Sequence, residues 1–325
     1  MVPYLYVAGA SYSGSTLLAF LLNAHPQMMS VSEVCGVIPH ANIPEDAIES
    51  YMCSCGEPLL ACPFYVELDQ RIRAAGSTFD LRDWRTHFRI GRNRWVQALA
   101  TRPLPSLVLQ RLRHYVVQAF PGVRARTREV ALRNVRFAQA ALAISGMRVF
   151  VDAQKDAARV QFLSKIPELD LRVMHLVRDV RGSAASYMKH YPERNDARTA
   201  TKKWMRANQA AARALYCVPP DRRMTMRYDE LCTDHQGALR RIAEFAGVSP
   251  ATIPADFRGQ EHHIVGNQMR TGNSQEIRKD ESWKTRLTAD NLEIIRRVGG
   301  AANRRFGFDW PNDDASATSV APTRS

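Results

Sequence analysis

Two glycines and a run of hydroxyl residues stand together near the start of the chain, in Gly9-Ala-Ser-Tyr-Ser-Gly-Ser-Thr16. Gly9 and Gly14 can take backbone angles closed to other residues, so successive N–H groups can converge on an anion. The spacing fits the phosphate-binding pattern GxxxxGK[ST], with Ser15 in the lysine position. In ATP-dependent phosphoryl transfer that lysine neutralises the β- and γ-phosphates; its absence argues against that chemistry and leaves a cradle for a less charged group. A serine-rich turn without a ligand is the plainer reading of the same residues. Glu33, Lys155 and Arg178 each follow an apolar run within a few residues. A carboxylate there can take a proton, and an ammonium or guanidinium can hold developing negative charge.

The elements that must position these groups are legible in order. Tyr4-Leu-Tyr-Val-Ala8 and Leu17–Leu22 flank the loop as strand and helix, and the helix start adds its positive dipole end. Strands are expected at Met28–Val31, Met147–Val151, Leu171–Val177 and Met224–Arg227, leading to Glu33, Lys155, Arg178 and Tyr228 respectively. Helical patterns run through 157–165, from Arg178 onward, and through 196–216, 233–245 and 287–306. This alternation predicts a three-layer α/β/α fold around a central parallel sheet, with ligands beyond the carboxyl ends of its strands. Residues 36–64 read as a proline- and cysteine-bearing loop, and 64–143 as a helical insertion broken by Pro103, Pro105 and Pro121. One domain is expected over 1–310, followed by a disordered tail over 311–325.

The net charge of +13 comes from 38 arginines and 7 lysines against 32 acids, and 13 arginines with two acids lie between Arg82 and Arg136. We read that insertion as solvated amphipathic helices and expect no nucleic-acid partner; its arginines mildly favour an acidic acceptor. No stretch approaches the ~20 apolar residues of a membrane span and no export signal opens the chain, so no integral membrane segment and a cytoplasmic location are expected. Cys35, Cys53, Cys55 and Cys62 lie within 28 residues. They could complete a tetrahedral zinc site, Cys53 and Cys62 could form a disulfide, or all could be free thiols.

The loop, together with Arg178 and Ser186 eight residues on, resembles the sulfotransferase family that uses 3′-phosphoadenosine 5′-phosphosulfate, over most of residues 4–310. The motifs are most similar to the tyrosylprotein and carbohydrate branch. The resemblance implies the P-loop-like sulfotransferase fold and in-line displacement at sulfur, with no metal required. It implies that Tyr12, Ser13, Gly14, Ser15 and Thr16 cradle the 5′-phosphate, that Arg178 and Ser186 hold the 3′-phosphate, and that Tyr228 contacts the adenosine. Arg270 and Arg278, with Lys279, would belong to a basic segment closing over the nucleotide. Glu33, 21 residues after Tyr12, would be the general base, and Lys155 would stabilise the leaving group. Tyr12 departs from the family pattern, which has Lys or Arg there, and His190 stands where that branch has another arginine. The insertion and the loops around His262 and His263 are expected to shape the site of a small-molecule, glycan, lipid or peptide acceptor. A P-loop small-molecule kinase and a non-catalytic nucleotide- or polyanion-binding protein are the alternatives.

Overall fold

The computed structural model describes residues 1–35, 48–88, 97, 106–259, 261–266, 268–272 and 276–310. The elements begin with β1 (Val2–Gly9), α1 (Ser15–Asn23), β2 (Met28–Ser32), α2 (Pro63–Ala74), α3 (Leu107–Gln118) and α4 (Pro121–Ser145). They continue with β3 (Val149–Lys155), α5 (Ala157–Leu163), β4 (Leu169–Val177), α6 (Val180–His190), α7 (Ala197–Ala214) and β5 (Arg223–Arg227). The last are α8 (Tyr228–Thr233), α9 (His235–Ala246), α10 (Trp283–Arg286) and α11 (Ala289–Arg305). The five strands form one parallel sheet in the order β2-β3-β1-β4-β5.

The period-two pattern of β1 divides the core between the two faces of the sheet. Tyr4 and Tyr6, with Phe150 and Val173, pack against Tyr65 and Leu68 of α2, Phe137 and Ala141 of α4, and Val160 of α5. Leu5 and Val7, with Val151 and Leu176, pack against Leu18, Leu21 and Leu22 of α1 and Leu239 and Ile242 of α9. A third cluster gathers Val177, Val180, Trp204 and Ile295 around α6, α7 and α11. This is the expected three-layer arrangement. Among the described residues, no helix is long and apolar enough to cross a membrane.

Three departures from the expectation have physical causes. Strand β3 runs on to Lys155 instead of ending at Val151, because Asp152 and Gln154, polar in sequence, are buried and hydrogen-bonded. Among the described residues, the insertion is helical in α2, α3, α4 and at Gln97, and after α2 Phe79, Trp84 and Phe88 anchor non-helical chain over 75–88 to the core by burial. Helix α3 also turns apolar residues outward: Val108, Leu112 and Tyr115 are exposed, while Arg113 is buried and donates to Gln161 at 2.9 Å. The apolar segment Trp95–Leu99, apart from Gln97, lies outside the described residues, as do Pro103, Pro105 and the tail over 311–325.

Beneath the carboxyl end of β3 lies a buried ion pair. Arg159 Nε donates to Asp152 Oδ2 at 2.8 Å, and both side chains are almost fully enclosed. The Tyr4 hydroxyl donates to the same oxygen at 2.7 Å, and Arg159 also donates to Thr86 O at 2.8 Å and to Asn134. The network joins β1, β3, α4, α5 and the chain before α3. Removing one partner strands a buried charge, so Arg159→Met should lower the free energy of unfolding by about 3–5 kcal/mol in urea titration. An unchanged unfolding midpoint and slope would show that the network is not what holds β3 in place.

Candidate functional site

All five strands deliver a singled-out residue at their carboxyl ends. The Gly9–Thr16 loop follows β1, Glu33 follows β2, Lys155 closes β3, Arg178 follows β4 and Tyr228 follows β5. Backbone geometry bends sharply at this edge. Tyr12, Ser32 and Lys155 have φ of 64°, 66° and 70°, the left-handed region that L-residues other than Asn and Asp seldom enter. Bulges interrupt the β1–β3 register between Tyr6 and Ala8 and the β2–β3 register between Ser30 and Ser32, which re-aims the residues that follow.

The loop is shaped by close approach. Gly14, at φ 92°, caps α1, and a Cβ on it would lie 2.3 Å from the Tyr228 ring. Ser13, Ser15 and Thr16 are buried, and Ser13 Oγ has no hydrogen-bond partner. An enclosed hydroxyl left unpaired beside a helix N-terminus is the kind of group an anionic ligand satisfies. The Tyr12 ring stacks on His190 at 5.2 Å and meets Tyr187 edge-on at 4.9 Å. Burial, with Tyr191 and Tyr187 nearby, raises the Tyr12 pKa well above that of a free phenol, so its hydroxyl is a neutral donor. His190 is pushed the other way, by burial and by Lys189 and Arg286, which favours the uncharged ring.

Arg178 closes the loop from β4. Its Nη1 donates to Tyr12 O at 3.2 Å, its guanidinium lies 4.8 Å from the Tyr228 ring centre, and Gly182 leaves it room. The neighbouring Asp179 is taken by Arg181 and by the N-cap of α6, so it does not neutralise Arg178. The partner of Arg178 is Asp280, whose carboxylate accepts from Nη2 at 2.9 Å. Burial opposes the charge on Asp280, yet the Ser282 hydroxyl and N–H, and then Arg178, hold its carboxyl down to about 2. Tyr228 also donates to Arg278 O at 3.4 Å, and Lys279 pairs with Asp229 at 2.5 Å, so residues 278–280 are docked on this side.

Lys155 Nζ donates to Glu33 Oε1 at 2.7 Å, with the two side chains 15% and 17% exposed. The pair is reachable from solvent yet largely enclosed. Gly266, at φ 113°, lies against it, and a Cβ there would come within 2.9 Å of Glu33 Cδ.

Several expected residues have other partners. Ser186 Oγ donates back to Gly182 O at 2.9 Å, one turn from the guanidinium. Arg270 donates to Met52 O and Gly266 O and stacks 4.0 Å over Tyr51, on the Glu33 side and not with Arg178. Arg278 meets Tyr228 through its backbone, and its side chain is exposed beside Glu276. The rings of His262 and His263 are buried, with His262 Nε2 2.6 Å from Phe257 O and His263 Nδ1 3.3 Å from Cys62 Sγ. Cys35 lies apart from the other loop cysteines: its N–H donates to Gln154, Arg159 Nη1 reaches its sulfur at 3.4 Å, and burial pushes its thiol up to about 12. Asp280 and Gly266 were missed; nothing in their local sequence marks them, because their roles come from chain more than 100 residues away.

A sequence profile of the sulfotransferase family matches residues 3–251. The chain belongs to that family. Sulfonate transfer therefore replaces the kinase and non-catalytic readings. Two solved structures share the fold of this sulfotransferase. A sulfotransferase domain from the curacin biosynthetic pathway is 14% identical with a TM-score of 0.51, covering 92% of this chain and 98% of that one. The sulfotransferase domain of the Synechococcus PCC 7002 olefin synthase is 15% identical with a TM-score of 0.51, covering 95% of each chain. Comparison with curated protein sequences found no match.

The Gly14 contact generates a test of the loop. Gly14→Ala forces a left-handed alanine, at about 1–2 kcal/mol, and also drives a methyl into the Tyr228 ring. Thermal unfolding should fall by at least that equivalent, and an unaltered melting curve would mean that the loop has a different backbone from the one described.

Proposed function

We propose that this enzyme moves a sulfonate group from 3′-phosphoadenosine 5′-phosphosulfate to an acceptor hydroxyl by in-line displacement. The observation that carries the reading is the double engagement of Arg178, which donates to the loop backbone at Tyr12 and, with its other terminal nitrogen, to the carboxylate of Asp280. One guanidinium thus joins the phosphate cradle and already holds an anion. Asp280 stands in for the 3′-phosphate, which would displace it and accept from the same fork. The loop N–H groups, with the unpaired Ser13 hydroxyl, Ser15 and Thr16, would receive the 5′-phosphate. Tyr228, already stacked on Arg178, fits a contact with the adenosine. Ser186 would have to give up its bond to Gly182 to join the 3′-phosphate.

In the reaction, the acceptor hydroxyl gives its proton to Glu33 as its oxygen bonds to sulfur. The bond from sulfur to the bridging phosphate oxygen breaks, and that oxygen leaves with the electron pair and its developing charge. Lys155 and the loop N–H groups stabilise it, and Tyr12 adds a neutral hydrogen bond. The acceptor is a hydroxyl compound. The arginines give less support to an acidic one than their number suggests, since Arg113, Arg128 and Arg133 are engaged with Gln161, Glu168 and Glu129. The absence of a membrane-spanning helix among the described residues is consistent with the expected cytoplasmic location.

Calorimetric titration with 3′-phosphoadenosine 5′-phosphate tests the cofactor site. Binding should be tight and should drop at least about 100-fold in Arg178→Ala, equivalent to about 2.7 kcal/mol. It should strengthen several-fold in Asp280→Asn, and ATP, lacking the 3′-phosphate, should bind weakly. ATP binding equal to that of the bisphosphate would sink the assignment.

Steady-state kinetics with the phosphosulfate donor test the chemistry. Lys155→Ala should lower kcat by about 10²- to 10³-fold with little change in bisphosphate affinity, as expected for a group that acts on transition-state charge. Glu33→Gln should lower it by about 10²- to 10⁴-fold. Near-normal turnover in either variant would remove that residue from the mechanism.

A further inference from the structure

Away from the sheet edge, Cys53, Cys55, Cys62 and His263 bring their ligating atoms within 4.8 Å of one another. Cys62 Sγ lies 3.6 Å from Cys55 Sγ, 3.9 Å from Cys53 Sγ and 3.3 Å from His263 Nδ1. A tetrahedral zinc ion, with bonds of about 2.3 Å to sulfur and about 2.0–2.1 Å to nitrogen, spaces its ligands by about 3.5–3.8 Å. A disulfide would bring two sulfurs to about 2.05 Å and leave the third thiol and the imidazole without a purpose. We propose that these four residues form a structural Cys3His zinc site.

The surroundings are those of a metal site. Cys53 N–H donates to Glu57 O at 2.8 Å and Gly56 N–H to Cys53 O at 3.1 Å, closing the turn that carries the sulfurs. Cys62 also caps the N-terminus of α2, where the helix dipole favours a thiolate. The far nitrogen of His263, Nε2, lies 3.2 Å from Glu261 Oε1, and the ring stacks on Phe64 at 4.6 Å. A carboxylate on the second ring nitrogen fixes the tautomer and turns the first nitrogen toward the metal. The fourth ligand differs from the one that spacing suggests: Cys35 is occupied with Gln154 and Arg159, and His263, 201 residues from Cys62, takes its place.

The site would hold together two distant pieces of chain. The Cys53–Cys62 turn already exchanges hydrogen bonds with residues 262–264, through Ser54 Oγ to His262 O at 2.7 Å and Ile264 N–H to Ser54 Oγ at 2.7 Å. From there the chain pairs beside β2, with Val265 N–H donating to Val31 O at 3.0 Å, and reaches Gly266 against Glu33. With four protein ligands the metal has no open position and takes no part in the transfer itself; it braces the wall behind Glu33. Only that last effect rests on the proposed sulfonate chemistry, since the ligand set stands on its own geometry.

Metal analysis of the tag-free full-length chain, purified and kept reduced, tests the site without any activity assay. About one zinc per chain is expected, falling to below about 0.1 in Cys62→Ser and in His263→Ala. Adding cobalt(II) to the metal-stripped wild type should produce thiolate charge-transfer absorption and the visible bands of a tetrahedral ion, and a strong chelator should lower the melting temperature of the zinc-loaded protein. The wild-type measurements decide the matter even if a variant fails to fold. Reduced wild type that binds neither zinc nor cobalt would overturn the proposal, and so would a disulfide among these cysteines in the protein purified without reductant. A zinc-loaded protein that fails to bind 3′-phosphoadenosine 5′-phosphate would overturn the donor assignment and leave the zinc site intact.

Discussion

The chain leaves β1, β2 and β3 through left-handed backbone at or just beyond the strand ends, at Tyr12, Ser32 and Lys155, and the candidate site depends on those three turns. Each costs on the order of 1–3 kcal/mol and persists only where the surroundings over-determine it. The turn at Ser32 puts Glu33 at the edge of the sheet. The one at Lys155 carries the ammonium to it, and the one at Tyr12 presents the carbonyl that Arg178 holds. An extended backbone at any of these residues would send the following side chain elsewhere, since successive residues of a strand alternate in direction.

What over-determines the turns is burial on both sides of the sheet together with polar contacts that only one arrangement satisfies. Asp152 and Arg159 neutralise each other inside the core, and the hydroxyl of Tyr4 and the carbonyl of Thr86 complete their hydrogen bonds. In a low-dielectric interior such a network is costly if any member slips, so it selects one register for β3 and hence one position for Lys155. On the other side of β1, Gly14 allows Tyr228 to approach the loop closely, and the ring supports Arg178. The loop conformation and the placement of the guanidinium are therefore one packing solution.

The parts that were legible in the sequence are those whose cause is local. A period-two apolar run states a strand, and a strand followed at once by Glu33, Lys155, Arg178 or Tyr228 states where that residue must lie in a parallel sheet. The illegible parts are those made by chain closure. Cys35 is the near neighbour of Cys53 in sequence, yet it faces Arg159, while His263 completes the thiol cluster from the far end of the chain. Arg270 and Arg278 look alike as members of one basic segment, but the fold sends the first to Tyr51 and leaves the side chain of the second in solvent. Asp280 is an ordinary acid until Arg178 is brought to it. Arg113 in α3 is illegible for another reason: an arginine in a basic segment suggests solvent, whereas this one is buried and donates inward to Gln161, with Val108, Leu112 and Tyr115 left outside.

The exchange of a cation for Tyr12 has a consequence for how charge must be handled in the proposed reaction. The ring is stacked on His190 and meets Tyr187 edge-on, and its hydroxyl is held in the neutral form, so it can donate a hydrogen bond but cannot offset a full negative charge. That work falls to Lys155, which in the resting protein is already paired with Glu33 at 2.7 Å. The general base and the leaving-group cation are then two halves of one ion pair. While both are charged, the pair is neutral and Lys155 exerts little net field on the bridging oxygen. As Glu33 accepts the acceptor's proton it becomes neutral, and the ammonium loses its counter-ion at the stage when the departing oxygen gathers charge. In a partly enclosed site, where Coulomb interactions are stronger than in water, this transfer of the lysine's partnership from carboxylate to phosphate couples nucleophile activation to leaving-group departure.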